Sequence, residues 1–255
     1  MEKNKVNFKG ILSWVPAGFL IVLFLTLLIT VYTSGLSGEF SWYALQLLVP
    51  ILGLFYLIIV GLLIIRQRGF TPKLTAYLLV SLIALLPALM LIMPVAYPYN
   101  INRVEPAATV RLPAIEPLLV IWGGDKQAMN YHVISPDQRW AYDFVVEPAL
   151  MRSRNLDDYG CYGIALLAPA DGLITAVHDG EPDEVPGVPS NNVQHPRGNY
   201  VVIQIETGTY LMLAHMQPGS ISVGEGDMVK EGQKLGLCGN SGNTSEPHIL
   251  SSSAY

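Results

Sequence analysis

Two hydrophobic periodicities divide this chain. Up to Tyr97 the apolar residues fall into three long runs, and beyond it they fall into short alternating clusters bounded by glycine, proline and asparagine. Residues 11–32, 42–65 and 74–97 contain no charged side chain. Each is long enough to cross the roughly 30 Å hydrocarbon layer as a helix, so the pattern predicts a three-helix transmembrane region over residues 1–97. Pro16, Pro50, Pro87 and Pro94 lie within these runs and predict kinks rather than breaks, because neighbouring helices can re-satisfy the freed backbone. A cleaved signal peptide competes for the first run, since Lys3, Lys5 and Lys9 precede it.

Residues 98–117 hold several prolines and no clean period, which reads as a linker. The remainder, 118–255, predicts an all-β domain with strands over 118–122, 141–146, 173–177, 199–206 and 209–215. The fourth and fifth of these form the best hairpin, with Gly208 supplying the backbone freedom of a tight turn. Glu181 to Gly198, rich in proline, asparagine and glycine, predicts a long surface loop that walls a cleft. Ala168–Ile174 and Gly226–Gly236 have the cadence of barrel-sandwich turns, yet neither presents the hairpin lysine of a lipoyl or biotinyl carrier.

Charge sets the orientation. Lys3, Lys5 and Lys9 precede the first apolar run, Arg66, Arg68 and Lys73 precede the third, and 33–41 has no lysine or arginine. Basic connections stay in the cytoplasm, so the N-terminus is expected inside and the β domain on the extracytoplasmic face of the plasma membrane. Trp42, Tyr43, Tyr97 and Tyr99 are placed as interfacial anchors. From Pro98 onward there are 9 basic against 18 acidic residues, a balance of −9 that argues against nucleic acid as a partner. The lipid bilayer is expected to be engaged through the helices, not through a basic patch. Cys161 and Cys238 allow one disulfide or two buried thiols.

Four side chains in the β half suggest chemistry: His132, Asp143, His215 and His248. Any one such histidine is more often a packing residue than a ligand. Together they offer imidazoles and a carboxylate of the kind that hold Zn2+, with further groups to handle a proton. Ser241 lies in Gly239-Asn240-Ser241-Gly242, which is not a nucleophile elbow, and Gly224-Glu225-Gly226 is not a phosphate cradle.

The ordered set Ala168-Pro169-Ala170-Asp171-Gly172, Gly198-Asn199-Tyr200-Val201, Ala214-His215, Gly226-Asp227-Met228-Val229-Lys230, Gly239-Asn240-Ser241-Gly242 and Pro247-His248 resembles the lysostaphin/LytM-type family of zinc metallopeptidases, which cut peptide bridges in bacterial peptidoglycan. The resemblance covers about 122–248, half the chain. It implies an antiparallel, barrel-sandwich-like β domain of the duplicated hybrid type with an open groove. It also implies that His132 and Asp143 bind Zn2+ while His215 and His248 are catalytic, as general base and electrostatic stabiliser. The family closes with Pro-His-x-His, whose second histidine is the third zinc ligand; here that position is Leu250. Losing one ligand from a site worth roughly 10–16 kcal/mol costs on the order of 3 kcal/mol, or about a hundredfold in affinity. His178 and His195 are the candidate substitutes. After His248 the residues Ile249 to Tyr255 show no strand pattern, which reads as a degenerate or truncated end.

The expected function is a membrane-anchored zinc metalloendopeptidase acting on peptidoglycan peptide. The alternative, drawn from Leu250, is an inactive domain of the same fold that binds cell wall or regulates another wall hydrolase. A sensor or assembly module is the third class.

Overall fold

The computed structural model describes residues 13–33, 35–98, 109–149 and 152–254, with no side-chain detail for 253 and 254. Lys3, Lys5, Lys9, Tyr99 and Tyr255 lie outside the described residues. The chain divides into two compact units, 1–99 and 100–255.

The first unit holds α1 (Val15–Thr30), α2 (Leu36–Gln46), α3 (Leu48–Gln67), α4 (Pro72–Leu85) and, after a 3-10 turn over Leu86–Ala88, a short α5 (Leu89–Ile92). Among the described residues two stretches are long and apolar enough to cross a membrane, Leu36–Gln67 and Pro72–Ile92, rather than the three expected. The described part of α1 has 16 residues, and at about 1.5 Å per residue it rises only about 24 Å. The prolines mark ends more than kinks. Pro16 sits in the first turn of α1 and Pro87 in the 3-10 turn, where the missing N–H costs little. Pro94 follows the end of α5. The four main helices pack through Leu20, Leu27, Leu45, Val49, Tyr56 and Tyr77, whereas Phe19, Val22, Ile51, Phe55 and Leu62 face outward. Trp42 and Tyr97 are buried within the helical unit, edge to face, and the Tyr97 hydroxyl donates to the Val31 carbonyl at 2.8 Å.

The second unit is a large antiparallel sheet in the order β1-β2-β9-β6-β5-β4-β7, with a separate two-stranded sheet β3-β8. Its strands are β1 (Leu119–Trp122), β2 (Tyr142–Val145), β3 (Ala165–Leu167), β4 (Gly172–His178), β5 (Asn199–Glu206), β6 (Thr209–Met216), β7 (Met228–Val229), β8 (Lys234–Leu237) and β9 (Ile249–Ala254). Alternation sends Phe144, Ile249, Leu213, Val201, Ile203 and Ile174 to one face, where they meet Leu166 and Leu235 of the small sheet in the main core. Cys161 and Cys238 are disulfide-bonded beside that core, which resolves the choice between bridge and thiols.

The expected absence of structure after His248 is corrected. Ile249–Ala254 forms β9, a central strand hydrogen-bonded to β2 on one side and β6 on the other. Three consecutive serines have poor strand propensity, but two waiting ladders and the burial of Ile249 and Leu250 outweigh it.

Candidate functional site

The opposite face of the same sheet carries the four expected side chains. Asp143 in β2 and Leu250 in β9 are cross-strand partners, and Leu250 also pairs with Ala214 of β6. Partners across a ladder share a face, and so do residues two apart. His248, just ahead of β9, therefore joins Asp143 there.

His132 comes from a 3-10 turn, Tyr131–Ile134, inserted between β1 and β2. Asn130 caps that turn by accepting from the His132 amide, while its own amide group donates to the Gly124 and Ala141 carbonyls at 3.0 Å each. That clamp folds the insertion back and delivers His132 Nε2 to 3.1 Å from both Asp143 carboxylate oxygens. Nδ1 of His132 lies 2.9 Å from Gln138 Oε1, which can only accept, so Nδ1 carries a hydrogen.

His215 reaches the face through a bulge. Between Val201↔Leu213 and Asn199↔Met216, β6 spends one residue more than β5, and His215 takes up the excess with a left-handed φ of 63°. Its Nδ1–H donates to the Ser241 carbonyl at 2.8 Å, leaving Nε2 free as an acceptor. Burial, then the neighbouring His248, pushes its pKa down to about 3, so the ring is neutral at physiological pH. Its ring lies 4.7 Å from that of His248. His248 Nδ1 donates to the Glu246 carbonyl at 2.8 Å, and its Nε2 lies 4.0 Å from Asp143 Oδ1. Burial raises the Asp143 pKa, but the His132 hydrogen bond and the neighbouring His248 and His132 rings together outweigh it and hold the group below the ordinary carboxylate range.

All four expected residues thus meet at one buried cluster. It opens into a cleft of about 500 Å³ lined by Trp122, Tyr131, Asp143, Pro189, Thr244 and His248. Pro189 belongs to the expected loop wall.

Zinc fits two of the three donor positions. Leu250 is buried against Ala141, Met212 and Ala214 at the third, with no lone pair to offer. Among the described residues no other histidine, cysteine or carboxylate brings a ligand atom within 4.8 Å of both His132 and Asp143. His178 cannot substitute, because β4 is three strand spacings from β9, roughly 14 Å at about 4.8 Å each.

The sequence-based reading missed the supports. The Tyr131 ring lies 4.0 Å from that of His132, tilted by 34°, and burial followed by the Asp143 charge pushes its phenol upward. Asn199 and Ser241 act through the backbone: Ser241 Oγ accepts from the Asn199 amide and donates to the Met216 carbonyl, fixing both sides of the bulge. Gly198, at φ 58°, lies so close to Ser241 that a Cβ would fall 2.4 Å from its carbonyl carbon. Their motifs were visible, but not the contact that gives each its role.

Residues 159–252 match the model of peptidase family M23. The match lies wholly within the β unit and makes it M23-like. Its segment is 37% identical over 86 residues to the peptidoglycan DD-endopeptidase ShyA of Vibrio cholerae serotype O1, covering 32% of this chain and 20% of the relative. The chain therefore spans only a fifth of that relative's length. Among solved structures, the M23 unit aligns with the catalytic domain of the antimicrobial peptidase lysostaphin from Staphylococcus simulans at 19% identity, covering 53% of this chain and 77% of that one, with a TM-score of 0.33. A zinc-containing peptidase from Vibrio cholerae aligns at 19% identity over 57% of this chain and 33% of that one, with a TM-score of 0.32.

Proposed function

We propose that this chain is a membrane-anchored zinc metalloendopeptidase whose M23 domain, on the extracytoplasmic face, acts on peptide cross-links of peptidoglycan. The observation that carries the reading is the convergence of His132, Asp143, His215 and His248 on one face, His132 Nε2 standing 3.1 Å from the carboxylate and the two outer rings 4.7 Å apart. His132 and Asp143 would hold the zinc, which when bound polarises a peptide carbonyl and acidifies water. His215, neutral with Nε2 free, accepts a proton from the attacking water. His248, oriented by the Glu246 carbonyl, stabilises charge developing on the carbonyl oxygen. The open cleft beside Trp122 and Tyr131 suits an extended peptide. The helices supply the anchor, and two of them have the length and apolarity to span a bilayer.

Leu250 favours a second reading, a non-catalytic M23 domain that binds wall peptide or regulates another hydrolase. The test uses the detergent-solubilised full chain with purified peptidoglycan and zinc, measuring newly released peptide termini. The enzyme reading expects zinc-dependent cleavage by the natural sequence, raised at least tenfold in Leu250→His as zinc affinity rises about a hundredfold. Cleavage only in Leu250→His establishes the second reading. Wall binding without cleavage in either chain removes the four catalytic and metal assignments.

A further inference from the structure

Away from the cleft, three side chains form the one trio of potential ligands, among the described residues, whose donor atoms all lie within 4.8 Å of one another: His178, Glu181 and His195. We infer that His178 Nε2, Glu181 Oε1 and His195 Nδ1 form a zinc site of their own, a clip that closes the long loop walling the cleft. The inference holds whether or not the M23 domain cleaves peptide.

Geometry supports it first. Glu181 Oε1 is 3.2 Å from His178 Nε2 and 3.6 Å from His195 Nδ1. Ligand atoms around a tetrahedral zinc with bonds of about 2.0–2.1 Å stand about 3.3 Å apart, so these spacings need little adjustment. Two imidazoles and one carboxylate favour zinc over calcium or magnesium, which prefer oxygen alone. A fourth position stays open to water, since the side chains of His178 and His195 are 35% and 50% exposed.

Two of the three ligands are also held in place by contacts that owe nothing to a metal. His178 ends β4 and stacks on Tyr200 of β5 at 5.7 Å. The Glu181 backbone is clamped by the buried Asn199 side chain, which accepts from its amide and donates to its carbonyl, both at 2.8 Å. His195 is brought over by the loop, and its ring lies nearly parallel to that of His178 at 5.4 Å. Two imidazole nitrogens and one carboxylate oxygen within 4.8 Å of one another give a site whose parts already converge.

The placement gives the clip its consequence. His178 and His195 stand at the two roots of the loop, and between them Pro189 and Ser190 line the cleft beside His248. The loop is tied to the segment carrying Thr244 by Gly187 N–H to the Ser245 carbonyl and Ser190 N–H to the Thr244 carbonyl. A metal that joins the loop's ends reduces the freedom of the wall between them.

The experiment takes the detergent-solubilised full chain and zinc alone. Zinc bound per chain is measured after equilibrium dialysis, and amide hydrogen exchange is followed across residues 179–198. His195→Ala is expected to bind one zinc equivalent fewer than the natural chain and to lose the zinc-dependent slowing of exchange in that loop. Glu181→Gln, which keeps the shape and removes the charge, weakens the same event at least tenfold. Leu250→His alters uptake at the other site and leaves the slowing intact. Retained exchange protection in β5 and β6 confirms that each variant is folded, and Glu181→Gln decides the matter if His195→Ala is not. Equal zinc uptake by the natural chain and the folded loop variants, or slowing that persists without these ligands, overturns the proposal.

Discussion

Single residues decide how the cluster behaves. His215 lies on a strand whose alternation would turn its side chain away from the cleft, and the extra residue of the bulge turns it back. Held neutral by burial, it makes stability depend on pH in a definite sense. Its folded pKa of about 3 lies below the ordinary 6.5, so between these values the unfolded chain takes up a proton that the folded one refuses. Stability is complete above pH 6.5 and falls as pH drops toward 3, by up to about 1.4 kcal/mol per pH unit. Asp143 acts in the same direction, but only below the ordinary carboxylate range. Pulse proteolysis in urea should show the natural chain losing stability from pH 7 to pH 5, with a clearly shallower loss in His215→Gln. Equal slopes would mean that His215 protonates freely in the fold. The histidine was legible as a candidate from Ala214-His215; its charge state was not, because the Ser241 carbonyl and the packing around it come from segments remote in sequence.

At the scale of elements, β9 shows where local pattern misleads. Ile249-Leu250-Ser251-Ser252-Ser253 reads as irregular, yet the segment is the central link between β2 and β6 and carries Leu250 beside Asp143. Ile249 is fully buried in the main core, so Ile249→Ala should cost about 2–5 kcal/mol. Urea-dependent proteolysis of the full chain measures it, and a cost below 1 kcal/mol, roughly that of a surface change, would mean β9 contributes nothing to the core. The five strands with clear alternation were legible to within a residue or two, as was the hairpin at Gly208. The short β3, β7 and β8 were not, since they lie in or beside the glycine-bearing passages Ala168–Ile174 and Gly226–Gly236, which read as turns.

The whole molecule joins an apolar helical unit to an M23 unit that carries the acidic excess. The M23 unit is cross-linked once, by Cys161 and Cys238, 77 positions apart. A loop of that size makes the bond worth on the order of 4 kcal/mol through restriction of the unfolded chain. Cys161→Ser combined with Cys238→Ser should therefore lower the urea midpoint of that unit by a corresponding amount, and so should a reductant acting on the natural chain. An unchanged midpoint in both would show that the bridge restricts nothing.

Composition and periodicity by themselves determined the division into an apolar helical half and a β half, because helices apolar all round and strands half-buried in a sheet demand different spacings of apolar residues. Motif order by itself pointed to the family and to His132, Asp143, His215 and His248. Only the tertiary structure decided how those four meet, and that His178 and His195 pair with Glu181 instead of standing in at the position of Leu250. Such distances are set by strand order, a bulge and a clamped turn, and those depend on contacts between residues far apart along the chain.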